Sequence, residues 1–501
     1  RRALSGAERN ANYRRNLPAD VDAQRRANDA VQHANVRQQK QPEQAQNRRQ
    51  QQAVRQARVR RNNQRARHNI ARGDVLPDTH KLEPMDKECV HCKALKFPKE
   101  NFKCCHGGKI NLPPLFPYPQ ELKELLTNGE TPESKNFQKF IRQYNSAFSF
   151  ASMGAQLRPP PGRGPPCFRI SGQIHHRIGP LHPGDGQLPA YSQLYICEPE
   201  HALQQRLTRN ENQGCREDVM RQVQQVMERE SPFVDAYKNM AQIEQEEINR
   251  AARENRAPSQ VRMHMRLSGD RRRYNMPHFE EVAAIFTGED GAPPGNRDIV
   301  IYPKNPRNDE LQKISVLSSF IDPLTYPMYF PLGDTGFDRF REHDPEFATA
   351  VRNTTTLLQY ATYRLAFRRE FSPIRHGKKL FQQYCVDHYT RYEGNKLHFI
   401  RQNQTTLRAA NYRGLMDHVN SRAQAMGLNP GRVVILPSSY QGSPRAMAQN
   451  YQDAMAMITK FGRPDLFLTF TCNPNWVEIT ENLKYGEPSF YRPDLVARVF
   501  K

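Results

Sequence analysis

The chain has 501 residues, of which 37% are hydrophobic, so we expect two or three folded units together with a sizeable unfolded share. Its formal net charge of +22 indicates a polyanionic partner, with nucleic acid as the first candidate. No apolar run approaches the roughly 18 residues of a bilayer-spanning helix, and the first residues lack the hydrophobic region of a secretory signal, so neither membrane insertion nor secretion is predicted.

Residues 1–74 are predicted to be a disordered basic tail. They hold 17 Arg and one Lys against six acidic residues, and hardly any large apolar side chains that could form a core. Arginine pairs recur along this tail at Arg14–Arg15, Arg25–Arg26, Arg48–Arg49 and Arg60–Arg61. Because guanidinium groups bind phosphates and release counterions, we expect these arginines to contact DNA or to serve as an import signal. A solvated tail without such a role is the alternative.

Residues 82–117 are predicted to be a small zinc-ribbon-like module. The Cys-x2-Cys pair Cys89 and Cys92 is followed by Cys104, Cys105 and His106, a donor set that fits tetrahedral zinc. Neighbouring side chains usually diverge, so His91 or His106 is a candidate for the fourth ligand. Nine cysteines without secretory context indicate a reducing compartment, and a small turn of reduced cysteines is the alternative. Four protein ligands would make the zinc structural and not catalytic.

Residues 118–350 are predicted to be an α+β region. Strands are expected at 191–197 and 298–303, and two apolar helical faces separated by Pro232 indicate packed helices. The adjacent His175 and His176 are expected to point to opposite sides of a strand, which favours a polar role over a metal site. The aromatic residues of 326–330 are expected in the core, with base stacking as the alternative. Arg271, Arg272 and Arg273 form either a phosphate contact or an exposed turn.

Residues 355–501 have a denser, globular pattern. Helices are predicted at 355–369, 377–393, 399–424 and 443–462, the last opened by Ser443 and Pro444, with strands at 431–437 and 465–472. The segments HGGKI (106–110) and HGKKL (376–380) lack the spacing and the hydroxyl group of a phosphate-binding loop. No motif of a nucleotide-triphosphate enzyme or of a catalytic triad is therefore present.

Several long segments resemble the Helitron helicase-like N-terminal domain of rolling-circle transposon replicases. They are LFQQYCVDHYTRYEGNKLHFIRQNQTTLRAANYRGLMDHV (380–419), ILPSSYQGSPRAMAQNYQDAMAM (435–457) and RPDLFLTFTCNPNWVEI (463–479). Upstream, CVHCKA (89–94), RRRYNMPHFEEVAAI (271–285) and DPLTYPMYFPLGDTG (322–336) resemble the same proteins. The likeness covers about residues 82–501.

The resemblance implies that 355–501 is a Helitron helicase-like domain and part of a Rep-type nuclease, with FLTFTCNP as its first motif. In the family, a His-hydrophobic-His pair then holds a divalent cation and a tyrosine attacks the DNA phosphate. The 25 residues after Trp476 contain no histidine, so we expect a chain truncated before these motifs, and no catalytic residue is assigned.

What the resemblance implies for this chain is binding without catalysis. We expect a nuclear protein of DNA transposition that binds DNA, chiefly single strands or transposon ends, without nicking or unwinding it. Mg²⁺ or Mn²⁺ and ATP would act only in the longer parent protein. A non-enzymatic zinc-dependent nucleic-acid adaptor and a non-functional transposon remnant are the alternatives.

Overall fold

The computed structural model describes residues 82–157, 168–265, 283–287, 299–303, 311–347, 353–404, 436–484 and 486–501. The chain divides after residue 81, so every described residue belongs to the unit Leu82–Lys501. The predicted tail and its arginine pairs lie outside the described residues, as do Arg271, Arg272 and Arg273. Within the described ranges, no helix is both long and apolar enough to cross a membrane.

The unit mixes helices with short strands, consistent with the predicted α+β class. The strands are β1 Lys87–Glu88, β2 Leu95–Lys96, β3 Ala151–Leu157, β4 Ile170–Ile178, β5 Val261–Met265, β6 Ala283–Thr287, β7 Ile299–Ile301 and β8 Gln312–Lys313. The α-helices are α1 Gln120–Thr127, α2 Pro132–Lys139, α3 Ile141–Phe148, α4 Pro199–Thr208, α5 Glu217–Glu230, α6 Pro232–Arg253, α7 Ile321–Thr325, α8 Leu357–Leu365, α9 Pro373–His376, α10 Lys379–Gln402, α11 Pro444–Phe461, α12 Val477–Thr480 and α13 Pro493–Phe500. Short 3-10 helices lie at Tyr191–Tyr195, Asn210–Asn212 and Ser489–Tyr491.

The strands form three small antiparallel groups. β1 pairs with β2, β4 lies between β3 and β8, and β5 lies between β6 and β7. Residues on β4 alternate between the core and the outer face: His176 is buried, whereas His175 is partly exposed. The expected divergence of these two histidines is confirmed, because successive side chains of a strand point to opposite sides.

A large apolar core joins α1, α3, α5 and α6 to the β3–β4–β8 and β6–β5–β7 sheets and to α10. The break between α5 and α6 falls at Pro232, as the sequence predicted, because proline fits the first position of a helix but not its interior. The aromatic residues of 326–330 belong to this core, with Tyr326 and Tyr329 at most 1% exposed. Their expected role in core packing is confirmed, and they are closed to stacking with bases.

Two predicted strands are wrong. Residues 191–195 form a 3-10 helix, in which the Gln193 side chain accepts from the backbone N–H of Ala190 at 2.9 Å. Residues 465–472 are irregular, and the Phe467 side chain is 94% exposed. No described strand pairs with this segment, and an isolated strand leaves its backbone groups without ladder hydrogen bonds.

The helices at the end of the chain mostly follow the sequence prediction. α11 runs from Pro444 to Phe461, with the Ser443 hydroxyl accepting from the backbone N–H of Ala446. α10 continues without a break through the predicted gap between 393 and 399. Residues 405–435, which include most of the predicted third helix and most of the strand predicted at 431–437, lie outside the described residues.

Candidate metal centre

Four cysteine sulfurs converge in the module that follows residue 81. The Sγ atoms of Cys89, Cys92, Cys104 and Cys105 all lie within 4.8 Å of one another. The Sγ atoms of Cys89 and Cys105 are 3.6 Å apart, too far for a disulfide bond, and all four residues are free cysteines. Cys92 is half-buried and the other three are buried, so the cluster is largely shielded from solvent.

The first pair is positioned by a tight turn between β1 and β2. The backbone N–H of Lys93 donates to the carbonyl of Cys89 at 2.9 Å, and the N–H of Cys89 donates to the carbonyl of Ala94 at 2.8 Å. Lys93 has a φ of +58°, so the chain reverses immediately after the second cysteine. This turn directs both thiols of the Cys-x2-Cys pair to the same side.

The second pair lies in another turn, not on a strand. The backbone reverses at His106, with φ of +51°, and again at Gly108, with φ of +91°, a conformation that favours glycine. The N–H of Gly108 donates to the Sγ of Cys105 at 3.3 Å. Side chains of adjacent residues diverge on an extended strand, but this irregular backbone brings Cys104 and Cys105 together.

The histidines considered as a fourth ligand stay outside the cluster. The group of close donor atoms contains the four cysteines alone among the described residues. The His91 ring packs edge-on against Phe347 with a centroid distance of 5.0 Å. His106 is partly buried, and this burial lowers its pKa. The cluster thus consists of four cysteines, and neither of the two candidate histidines belongs to it.

The electrostatic surroundings favour thiolate at Cys89 and Cys92, whereas the pKa of Cys104 is raised by its hydrogen bond with Cys92 and that of Cys105 is raised by burial to about 11. A hydrogen bond from the thiol of Cys104 lowers the pKa of Cys92 to about 4 against the opposing effect of burial, with further help from the backbone of Ala94 and the charge of Arg368. The Nε of Arg368 also donates to the carbonyl of Cys92 at 2.8 Å. A guanidinium group next to the sulfurs offsets the negative charge that a set of four thiolates carries.

The geometry of the sulfurs agrees with a tetrahedral metal site. Zinc–sulfur bonds of about 2.3 Å place tetrahedral sulfurs about 3.8 Å apart, close to the 3.6 Å between Cys89 and Cys105. Cys89, Cys92, Cys104 and Cys105 could therefore hold one metal ion, with no ligand position left open for a substrate.

The cysteine module packs against the end of the chain. An apolar cluster joins Met85, Leu95 and Phe97 to Ile479 and Leu495. The guanidinium of Arg498 makes two hydrogen bonds to the Glu100 carboxylate, at 2.8 and 2.6 Å, and a third to the carbonyl of Leu95 at 3.0 Å. The cysteine module and the last two helices, α12 and α13, therefore pack together.

A buried polar network, which was not predicted from the sequence, lies along α10. The Nη1 of Arg391 donates to the Oδ1 of Asp322 at 2.6 Å, and the hydroxyl of Tyr360 donates to Oδ2 at 3.0 Å. Burial alone would raise the pKa of Asp322, but the charge of Arg391 holds it below its usual value. A polar stripe on α10, in which Asp387, His388 and Arg391 are buried, was the signal available in the sequence.

The second half of the network anchors β4. The Nε2 of His176 lies 3.1 Å from the Oδ2 of Asp387, which also accepts from the hydroxyl of Tyr326 at 2.9 Å. These groups are fully enclosed, so they connect β4, α7 and α10 and offer no access to a substrate. Of the two adjacent histidines, His176 has the predicted polar role, because it contacts the carboxylate of Asp387.

The structure is that of an α+β protein with a cluster of four cysteines that could hold a metal ion. Residues 360–501 match the family described as the Helitron helicase-like domain at the N-terminus. This part of the chain is therefore a Helitron helicase-like domain, as the resemblance predicted. The match supports the interpretation that the chain is part of a transposon-related replicase or helicase. No curated protein matches the chain.

Proposed function

We propose that the chain is a DNA-binding part of a Helitron rolling-circle replicase, and that it binds single strands or transposon ends in the nucleus. The observation that carries the proposal is the Helitron helicase-like domain at 360–501 in a chain of net charge +22. A strong positive charge favours a polyanion, and DNA is the polyanion on which a transposon replicase acts.

The proposal assigns binding and not strand cleavage. No two histidines of the sequence are separated by a single intervening residue. The His-hydrophobic-His motif of the proposed Rep-type nuclease domain is therefore not among these residues. The cysteine cluster does not replace it, because four protein ligands leave a bound metal without an open position.

Equilibrium binding of the full chain to a fluorescent single-stranded oligonucleotide, measured by anisotropy over a range of salt, tests the proposal. We expect binding that weakens steeply with salt, with a logarithmic slope of about −0.7 for each phosphate neutralised. The strand should remain intact on a denaturing gel with Mg²⁺ or Mn²⁺ present. Absence of binding at low salt would overturn the proposed DNA binding, and a cut strand would overturn the assignment of binding alone.

We also propose that the four cysteines hold structural zinc. The set of four sulfur donors suits this borderline-soft ion, and the sulfur spacing supports the assignment. Metal content of the purified full chain should be close to one zinc per chain and should fall in the variant Cys104→Ser. Cys197→Ser is the matched control, because Cys197 is a free cysteine outside the cluster, and it should keep its zinc. A folded, metal-free wild type would contradict the assignment.

A further inference from the structure

Basic side chains from three separate parts of the chain converge where α10 begins. α3 contributes Arg142, whose Nε donates to the carbonyl of Lys379 at 2.8 Å. α9 ends with His376, and the link from α9 to α10 contributes Lys378. The Nζ of Lys484, far along the chain, lies 2.5 Å from the Nε2 of His376. With Tyr491, these residues form what we call the basic–aromatic surface: Arg142, His376, Lys378, Lys379, Lys484 and Tyr491.

The cations of this surface repel one another. Burial lowers the pKa of Lys379, and the charges of Arg142 and Lys139 lower it further. Burial likewise lowers the pKa of Lys378, an effect that the carboxylate of Glu487 opposes and the charge of Lys484 strengthens. Glu487 opposes this repulsion, but its carboxylate is bound by Arg375 at 3.1 Å. Holding like charges together is unfavourable unless an anion completes the set.

The backbone at the centre of the surface is strained. Lys378, which precedes α10, has φ of +48° and ψ of −115°, a conformation that residues with a Cβ rarely adopt. Glycine would take this conformation at less cost. The Nζ of Lys378 donates to the Oε1 of Gln138, and because strained residues concentrate at functional sites, this position is a candidate for function.

Aromatic rings alternate with the cations. The Nζ of Lys378 lies 5.6 Å from the centre of the Tyr491 ring, and the guanidinium of Arg142 lies 4.6 Å from the centre of Phe168. Both rings are half-buried, so a part of each reaches solvent. Single-stranded nucleic acids are bound by this combination, in which cations follow the phosphates and ring faces stack on unpaired bases.

We propose that the basic–aromatic surface binds single-stranded DNA, with Lys378, Lys379 and Lys484 neutralising phosphates and Tyr491 stacking on a base. This inference rests on the proposed DNA binding and assigns that binding to one described surface. Duplex DNA fits the surface less well, because its bases are paired and closed to Tyr491.

The test compares two triple variants of the full chain with equal loss of charge. The first is Lys378→Gln, Lys379→Gln and Lys484→Gln. The second, the control, is Lys87→Gln, Lys238→Gln and Lys460→Gln, three exposed lysines of the described chain outside the surface. Anisotropy with a single-stranded oligonucleotide measures affinity and salt slope, and circular dichroism checks that each variant is folded.

For the first variant we expect the slope of log affinity against log salt concentration to be smaller in magnitude by about 2, since each phosphate contact of a single strand contributes about 0.7. Its affinity at low salt should be roughly 10- to 100-fold lower. The control should change the slope by less than about 0.5. Equal effects of the two variants would overturn the assignment of DNA binding to this surface but would leave the proposed DNA binding intact. A wild type that binds no DNA would overturn both proposals.

Tyr491 is tested separately from charge. Tyr491→Ala should weaken binding roughly 5- to 150-fold, which corresponds to the 1–3 kcal/mol of one base stacked on a ring, and Tyr491→Phe should keep wild-type affinity because the ring face remains. An iododeoxyuridine-substituted oligonucleotide should form a photo-crosslink to the wild-type peptide that contains Tyr491. Equal affinity of the alanine variant, or a preference of the wild type for duplex DNA, would overturn the stacking assignment.

Discussion

A single glycine sets how closely α9 and α10 approach the core. A Cβ at Gly377 would lie 1.8 Å from the hydroxyl oxygen of Tyr329, which is buried. Gly377→Ala should therefore lower the free energy of unfolding by about 1–3 kcal/mol, because the packed ring has to move. Chemical denaturation of the purified variant measures the change.

The control for this substitution is Gly394→Ala, within α10. No atom lies within 4 Å of a Cβ at Gly394, and alanine has the higher helix propensity, so the variant should gain about 0.5–1 kcal/mol. Equal stability changes at the two positions would contradict the close approach at Gly377.

The buried His388 makes stability depend on pH. Burial lowers its pKa to about 4, an effect to which Arg391 and His176 add and which Asp322 and Asp387 oppose. The unfolded chain, with an ordinary pKa near 6.5, binds the proton first, so stability is complete above pH 6.5 and is lost as the pH falls towards 4. The loss from this residue should be no more than about 3 kcal/mol.

Denaturation curves at pH 7, 6 and 5 measure this dependence. His388→Gln should flatten it, although the partly buried His376, whose pKa is also lowered to about 4, contributes in the same direction. The exposed His201 supplies the control, and His201→Gln should retain the wild-type slope. A variant at His388 with an unchanged slope would show that this imidazole does not titrate as described.

At the residue scale, the sequence predicted local chemistry and missed contacts between distant segments. The four cysteines and the divergence of His175 from His176 follow from spacing alone. The pair Asp322–Arg391 joins residues 69 positions apart, and no periodicity in the sequence relates them. The convergence of the adjacent Cys104 and Cys105 depends on a turn whose dihedral angles the sequence does not determine.

At the element scale, Arg498 on α13 connects the last helix to the cysteine module. Its guanidinium holds the Glu100 carboxylate through two hydrogen bonds and lies 4.5 Å from the centre of the Phe102 ring. Arg498→Ala should cost about 1–3 kcal/mol, since a largely buried, charge-assisted pair is lost. Hydrogen exchange should also become faster in residues 82–105.

Arg401→Ala is the matched control, because Arg401 is an exposed arginine at the end of α10. It should leave hydrogen exchange of the cysteine module unchanged. If Arg498→Ala also left that exchange unchanged, the contact would not stabilise the module.

Helices with clear boundaries were predicted well, and segments that depend on partners were not. Pro232 and Ser443 mark helix starts through local chemistry, namely a fixed φ and a side-chain cap. The strands predicted at 191–197 and 465–472 were wrong because a strand needs a neighbour, and an apolar sequence does not provide one. The shortness of β1 and β2, two residues each, gave no periodic signal at all.

At the scale of the whole molecule, the cysteine module and the Helitron helicase-like domain share contacts. The sequence predicted 82–117 and 355–501 as separate domains, a division that stays a prediction. The apolar cluster around Leu95 and Leu495, together with the hydrogen bond from the N–H of Leu95 to the carbonyl of Phe367 at 2.8 Å, connects the two segments. A metal ion at the four cysteines would therefore stabilise the helicase-like domain as well as its own module.

We propose that this chain is a zinc-bearing part of a Helitron replicase and that it binds single-stranded DNA. Native mass spectrometry of the full chain with a single-stranded oligonucleotide tests it most directly, because one spectrum reports both metal and DNA. We predict a complex of one chain, one zinc ion and one oligonucleotide, and this complex should lose the oligonucleotide as the salt concentration rises. A folded chain that carries no zinc, or that forms no complex with the oligonucleotide at low salt, would contradict it.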